Sequence, residues 1–370
     1  MKSNIGLYVH IPFCVKKCPY CDFYSIVHDN LLEDEYTKAI VCDMLNYTGK
    51  NITADTLYFG GGTPILMSSN NIALIIKTAK DVFDLDGEIT LEANPNSTTK
   101  TKLAELKLAG INRISFGMQS ADQKELKALG RLHDLPQAIE AVNNAYEAGI
   151  ENISVDIMLG TPFQTMASVQ NTLEVITKLP ISHISAYMLK VEEDTPYYQS
   201  DILQFCVDED TLAEIYLNTI DILEQNSFSQ YEISNFSKNA MESRHNLKYW
   251  RCEEYLGFGA SAHSFIDNRR YFNENSVLKY IENKGLNSIT TDDNAGGVDE
   301  YVMLGLRLSE GIDLDKIKAY NCIDFNKFIL SAERFCEGGY AKIVGQRLFL
   351  EKNGFLLSNH IISSLLQNAI

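Results

Sequence analysis

Up to about residue 190 the chain alternates short apolar runs with longer segments of helical period, and this alternation constrains the fold more than any other feature. The apolar runs are GLYVH (6 to 10), TLYFG (56 to 60), EITLEA (88 to 93), INRISF (111 to 116), ISVDIML (153 to 159) and HISAYML (183 to 189). Amphipathic segments at 32–47, 70–83, 99–109, 134–148 and 165–179 separate them, each long enough for a crossover helix. Gly110 and Gly149 follow two of these segments directly, where a left-handed residue closes a helix. Six such repeats predict an α/β fold, a parallel sheet covered by helices, built either as an open doubly wound sheet or as a whole or partial barrel. Periodicity does not choose between the two. Both place ligands at the C-terminal ends of the strands. The polar and glycine-rich features fall there: a cysteine loop after the first strand, GGGTP (60 to 64) after the second, Glu92 ending the third and Gln119 following the fourth. Asp156 lies inside the fifth.

Past residue 190 the repeat stops. A helix near 209–225 precedes YEISNF (231 to 236), HNLKYW (245 to 250) and the small-residue run GFGASAHSF (257 to 265). TTDDNAGG (290 to 297) reads as a linker. Beyond it come helical patterns near 299–309 and 324–337, then RLFLEKNGFLL (347 to 357), where Asn353-Gly354 between apolar runs predicts a hairpin, and a short helix at 358–368. The expected organisation is therefore a strand–helix domain over 1–235, a connecting segment over 236–292, and a mainly helical, winged-helix-like domain over 293–370. With 49 acidic against 32 basic residues, the formal charge of -17 repels phosphate backbones and anionic lipid. The wing is accordingly read as a lid or interaction surface, with neither nucleic acid nor membrane as a partner. No apolar run approaches the roughly 18 residues of a membrane span, and MKSNIGLYVHIPFC lacks the features of a secretory signal, so a cytoplasmic address is expected.

Three of the eight cysteines, Cys14, Cys18 and Cys21, fall within FCVKKCPYCDFYS (13 to 25). The others, Cys42, Cys206, Cys252, Cys322 and Cys336, are scattered singly and read as small core residues. A structural zinc site needs four ligands, and here only His10 or His28 would complete it. Pro12 and Pro19 keep the segment from being helical, so it forms a loop able to wrap a bulkier object. Three thiolates on a four-iron cluster leave one iron without a protein ligand, and an open position on a metal is where a substrate binds.

CxxxCxxC directly after the first strand of a six-fold strand–helix repeat, with Tyr20 before the last cysteine, resembles the signature of radical S-adenosylmethionine enzymes. The resemblance implies a partial (β/α)6 TIM-like barrel of the radical SAM type. It also implies a [4Fe-4S] cluster on Cys14, Cys18 and Cys21, with the amino and carboxylate groups of S-adenosylmethionine on the unique iron. Carried over residue by residue, it places Gly61, Gly62 and Thr63 at the methionine amino group and Glu92 at the ribose hydroxyls. Tyr8 falls beside the cluster, and Tyr20, Gln119, Arg131 and Asp156 fall among the cofactor contacts. Each has a plainer reading alone: a tight turn for GGGTP, a rim carboxylate for Glu92, solvated side chains for Gln119 and Arg131. Asp156 stands apart, because a carboxylate inside an apolar strand requires a partner.

Together YVHIPFC (8 to 14), CPYCDFYS (18 to 25), FGGGTP (59 to 64), ISFGMQS (114 to 120), GRLH (130 to 133) and DIMLGTP (156 to 162) are similar to the oxygen-independent coproporphyrinogen III oxidase family, over essentially the whole chain. The oxidases of that family carry CxxxCxxCxC and an N-terminal extension. Here Phe23 stands at the fourth cysteine and seven residues precede Tyr8. Both departures turn the expectation away from oxidative decarboxylation and toward the family's heme-chaperone subgroup, whose pattern is CxxxCxxCxF. That subgroup's second marker, HNxxYW, is present as His245, Asn246, Tyr249 and Trp250. A histidine can ligate heme iron, and Tyr249 and Trp250 offer flat apolar surface to a porphyrin. The plainer reading is a hydrogen-bonded core histidine. His263 and Cys252 are further ligand candidates.

The expected function is thus to bind heme and hand it to an acceptor protein, with the cluster and S-adenosylmethionine in support. The alternative is a tetrapyrrole enzyme, decarboxylating coproporphyrinogen III or modifying heme anaerobically. The resemblance also implies a flavodoxin- or ferredoxin-type electron donor, and the chain is expected as a monomer or dimer.

Overall fold

The structure, a computed structural model, describes residues 4–286, 288–293, 295–367 and 369. Six parallel strands form its centre: β1 (Ile5–Ile11), β2 (Ala54–Gly61), β3 (Glu88–Ala93), β4 (Arg113–Gln119), β5 (Asn152–Leu159) and β6 (His183–Met188). They lie side by side in chain order. A doubly wound sheet reverses its order at a switch point; sequential order winds one way, as a barrel does. The barrel is partial. The edge of β1 pairs with the parallel strand Tyr255–Phe258 and the edge of β6 with the antiparallel strand Asn235–Ser237, so β1 and β6 do not meet.

The strands have two different faces. Leu57 aligns with Ile89, Leu91 with Ile114 and Ile153, and Val155 with Ile184, an apolar surface buried under the helices. The alternate positions bring Glu92, Ser115 and Ser154 into one row and Gly117, Asp156 and Ser185 into another. These polar rows face inward. The interior lines a cavity instead of being filled by branched side chains, which is what most single-chain barrels do.

Local sequence starts and stops the helices as expected. Asp29, Ser68, Thr99, Asp134 and Thr165 each accept a backbone N–H at a helix start, the last two in reciprocal capping boxes. Gly110 and Gly149 end two of the helices with φ of 117° and 83°. The hairpin strands His263–Ile266 and Arg269–Asn273 and the strand Ser288–Asp292 extend the sheet beyond Tyr255–Phe258. Residues 290–292, expected in a linker, are therefore strand, with Tyr271 opposite Thr290.

The C-terminal part has the winged-helix order: helix Val298–Gly305, strand Ile312–Asp313, helices Leu314–Ala319 and Phe325–Glu337, then hairpin Ala341–Val344 with Arg347–Leu350. The hairpin is not at Asn353-Gly354, as the sequence suggested. That pair lies in the helix Lys352–Leu356, and the chain turns instead at Gly345-Gln346. Gly354 serves close packing: a Cβ there would stand 1.9 Å from the Tyr340 carbonyl oxygen. Among the described residues, no helix is long and apolar enough to cross a membrane.

Candidate functional site

The C-terminal ends of the strands surround an open cavity of about 1310 Å³, mouth included. Cys14, Cys18, Tyr20, Cys21, Gly61, Gly62, Thr63, Glu92, Gln119, Arg131 and Asp156 all line it. Tyr8 stands just behind the wall: its hydroxyl meets His10 Nδ1 at 3.1 Å and its ring stacks on Tyr58.

The cysteine loop is clamped at both ends, because Phe13–Cys14 pairs in parallel with Ile26–Val27. Its tip is wedged between Gly130, against which Pro19 packs, and Tyr197, whose N–H donates to the Pro19 carbonyl at 3.0 Å. The glycine loop is tied to the same strand. Gly62 donates to Ile11 O at 2.7 Å and Thr63 to Phe13 O at 2.8 Å, while Gly61 donates to Glu92 Oε2 at 3.2 Å. A Cβ at Gly61, where φ is 109°, would stand 2.5 Å from the His10 ring, and one at Gly62 would stand 2.8 Å from Phe13 O. The glycines thus let the loop lie flat on β1 and the cysteine strand, which presents their main chain to the cavity.

Two donors reach the thiols. Thr63 Oγ1 lies 3.5 Å from Cys14 Sγ and Arg131 Nη1 3.6 Å from Cys18 Sγ. Burial alone would lower the Arg131 pKa, but Tyr20 and Cys18 beside it raise it on balance. Lys16 and Lys17 also line the cavity. Fixed cations and donors of this kind offset the negative charge of sulfur ligands. Among the described residues no three His, Cys, Asp or Glu side chains converge on a single ion. The three thiols instead share the wall of the wide cavity, where a body larger than a single ion can meet them.

The carboxylates are held as a buried pair of acceptors. Glu92 takes the Tyr58 hydroxyl at 2.8 Å, and burial pushes its pKa up to about 7. Asp156 accepts from Ser115 at 2.9 Å, and burial raises its pKa too. Gln119 occupies a bulge at the end of β4 with φ of 70°, a strained backbone of the sort that gathers at functional sites. Asn94 was not singled out in the sequence. It donates to Thr63 Oγ1 at 3.1 Å and accepts from Arg131 Nη2, joining two strand ends. Its only signal was its position two residues past Glu92. Tyr58, Ser115 and Ser185 were likewise passed over, though they are the polar alternates of apolar strands.

HNxxYW lies at the opposite pole. Its helix, Arg244–Trp250, caps the N-terminal ends of β1 to β3: the N–H groups of Arg244 and His245 donate to Glu88, and Lys248 bonds Asn4 O and Asp55. His245 is fully buried, with Nδ1 at 2.8 Å from Thr56 Oγ1 and Nε2 at 2.7 Å from the Tyr249 hydroxyl. Burial pulls its pKa down to about 3, so the ring is neutral. Trp250 packs on Tyr231, Leu247 and Leu308. His263 stacks on Phe272 in the added hairpin, and the Cys252 thiol faces Glu300 at 3.8 Å. Of the motif, Asn246 alone among the described residues lines the cavity, at its floor. No described residue of the C-terminal unit does, so the wing forms no lid over the cavity here.

The radical SAM superfamily model matches residues 8–176. Heme chaperone HemW of Bacillus subtilis is 34% identical over 97% of this chain and 98% of its own length. Its namesake in Lactococcus lactis is 31% identical over 98% and 97%. Among solved structures, coproporphyrinogen III oxidase (HemN) from Escherichia coli superposes with a TM-score of 0.81 at 20% identity, over 98% of this chain and 90% of that one, a likeness in fold.

Proposed function

We propose a function from the premise that the chain belongs to the HemW family of the radical SAM superfamily: it is a heme chaperone, binding heme and transferring it to an acceptor protein. One observation carries the reading. Relatives bearing that name match the chain from end to end, whereas the resemblance to the oxidase is one of fold. Phe23 supports it: it lines the cavity beside the thiols and is 61% exposed, an apolar ring where the oxidase pattern has sulfur.

In this account Cys14, Cys18 and Cys21 hold a [4Fe-4S] cluster, which when bound supplies one-electron chemistry at an iron open to S-adenosylmethionine. Thr63 and Arg131 steady the sulfur ligands. The flat main chain of Gly61 and Gly62 receives the methionine end, Glu92 accepts from the ribose, and Tyr20, Gln119 and Asp156 complete the cofactor wall, with Tyr8 behind it. His245, Tyr249 and Trp250 of the pole helix are the proposed further heme contacts; none of the three lines the cavity, so they reach heme only when that helix opens. Axial ligation by His245 requires Nε2 to leave Tyr249, because Thr56 holds Nδ1. A flavodoxin- or ferredoxin-type protein reduces the cluster, and the chaperone works in the cytoplasm as a monomer or dimer.

The test against an oxidase is turnover. Cluster-loaded protein given S-adenosylmethionine, reductant and coproporphyrinogen III is expected to form no more than a trace of protoporphyrinogen IX. Many equivalents per chain would contradict the proposal.

A further inference from the structure

The cofactor reading leaves Arg113 unused. It opens β4, is 2% exposed and lines the cavity floor, and its Nε has no hydrogen-bond partner. Among the described residues no carboxylate lies within ion-pair distance of it. The nearest negative charges, Glu88 and Asp156, support its charge from beyond contact, but their oxygens are engaged elsewhere: Glu88 accepts the N–H groups of Arg244 and His245, each at 3.2 Å, and Asp156 accepts Ser115. A buried guanidinium without a contact partner is costly, and such a group calls for an explanation. Here the explanation is a visiting anion, since Arg113 shares the cavity wall with Ser185, Tyr187 and Asn246.

We propose that Arg113 binds a propionate of the heme cargo, so that heme enters from the rim with a carboxylate leading and its macrocycle against Phe23, Met158 and Tyr187. This rests on the heme-chaperone reading above and adds the orientation of the cargo. A guanidinium fork matches a carboxylate with two parallel hydrogen bonds. The carboxylate of S-adenosylmethionine is the other source of that chemistry, but its place is with the thiols at the rim. Arg113 starts its strand six residues before Gln119, roughly 20 Å along the strand at about 3.3 Å per residue.

The test compares heme with heme dimethyl ester, in which both propionates are masked, as ligands of the cluster-loaded chain. The expected result is that heme binds roughly tenfold tighter or more. Arg113→Gln should bring the ratio near one while leaving ester binding, S-adenosylmethionine binding and cluster absorbance unchanged. Equal binding of heme and ester by the unmodified chain overturns the inference and leaves the chaperone reading standing; binding of neither removes both. Loss of S-adenosylmethionine binding in Arg113→Gln with the heme-to-ester ratio intact would assign Arg113 to the methionine carboxylate and overturn the inference as well. Should Arg113→Gln not take up a cluster, Arg113→Lys decides: it keeps the charge but not the fork, and is expected to lower the ratio several-fold. An undiminished ratio there refutes the assignment.

Discussion

Glu92, the proposed ribose acceptor, is held at the expense of stability. Burial raises its pKa from 4.5 to about 7, against the opposing bonds from Tyr58 and Gly61. Below 4.5 the folded and unfolded chains are both protonated. As pH rises through 7 the folded chain gives up a proton that the unfolded chain has already lost, so stability falls across that window, by on the order of 1 to 2 kcal/mol for a half-buried group. Glu92→Gln should lessen the fall in melting temperature between about pH 4.5 and 7, to which Asp43 and Glu232, also pushed up by burial to about 7, contribute as well, and should weaken S-adenosylmethionine binding; an unchanged pH profile would show that Glu92 has no part in the fall. At the thiols, alanine at Cys14, Cys18 or Cys21 should each abolish the visible absorption of the cluster, while Phe23→Cys should keep it. Full iron and sulfide in any one of the alanine variants contradicts the ligand set. The thiols were legible because their spacing within a proline-bounded loop is local. Asn94 and Tyr58 were not, nor was the placing of Thr63 and Arg131 against Cys14 and Cys18, since each works through a partner that only the meeting of strand ends supplies.

Among the elements, the glycine loop and the Asn353-Gly354 pair singled out in the sequence both owe their glycines to close packing. GGGTP was read as a ligand cradle, and Gly61 and Gly62 are needed first to fit under His10 and against the Phe13 carbonyl. Gly61→Ala should therefore cost about 2 kcal/mol or more and lower the cluster content measured after reconstitution. Gly354→Ala, against the Tyr340 carbonyl, should destabilise the C-terminal unit yet leave cluster loading normal. If iron content falls equally in both, the glycine loop has no special tie to the cysteine strand. Asn353-Gly354 misled because a turn dipeptide and a close-packing glycine look alike in sequence. The helices were legible to within a few residues, because their caps are written locally in Asp29, Ser68, Thr99, Asp134 and Thr165.

On the scale of the whole molecule the chain builds a partial barrel with a cluster rim at one pole and the HNxxYW helix at the other. Periodicity left the strand order open, because the same crossover helices serve a doubly wound sheet and a barrel; the resemblance implied the partial barrel that is found. Apart from Asp156, whose place in an apolar strand already marked it, the polar interior was hidden likewise, since Arg113 and Ser115 acquire meaning only when β4 and β5 curl around a common space. His245 joins the poles, bonded to Thr56 of β2 and packed 5.2 Å from the Tyr58 ring that in turn holds Glu92. His245→Ala is expected to cost about 1 to 3 kcal/mol and to weaken heme binding; a folded variant with undiminished heme affinity removes the motif from the cargo site. The central claim is that this chain carries heme. It is tested most directly by titrating the cluster-loaded, S-adenosylmethionine-bound chain with heme, following heme absorbance together with the fluorescence of Trp250, its sole tryptophan. Both signals should break together at one equivalent of heme, and a response that rises without saturation would contradict the account.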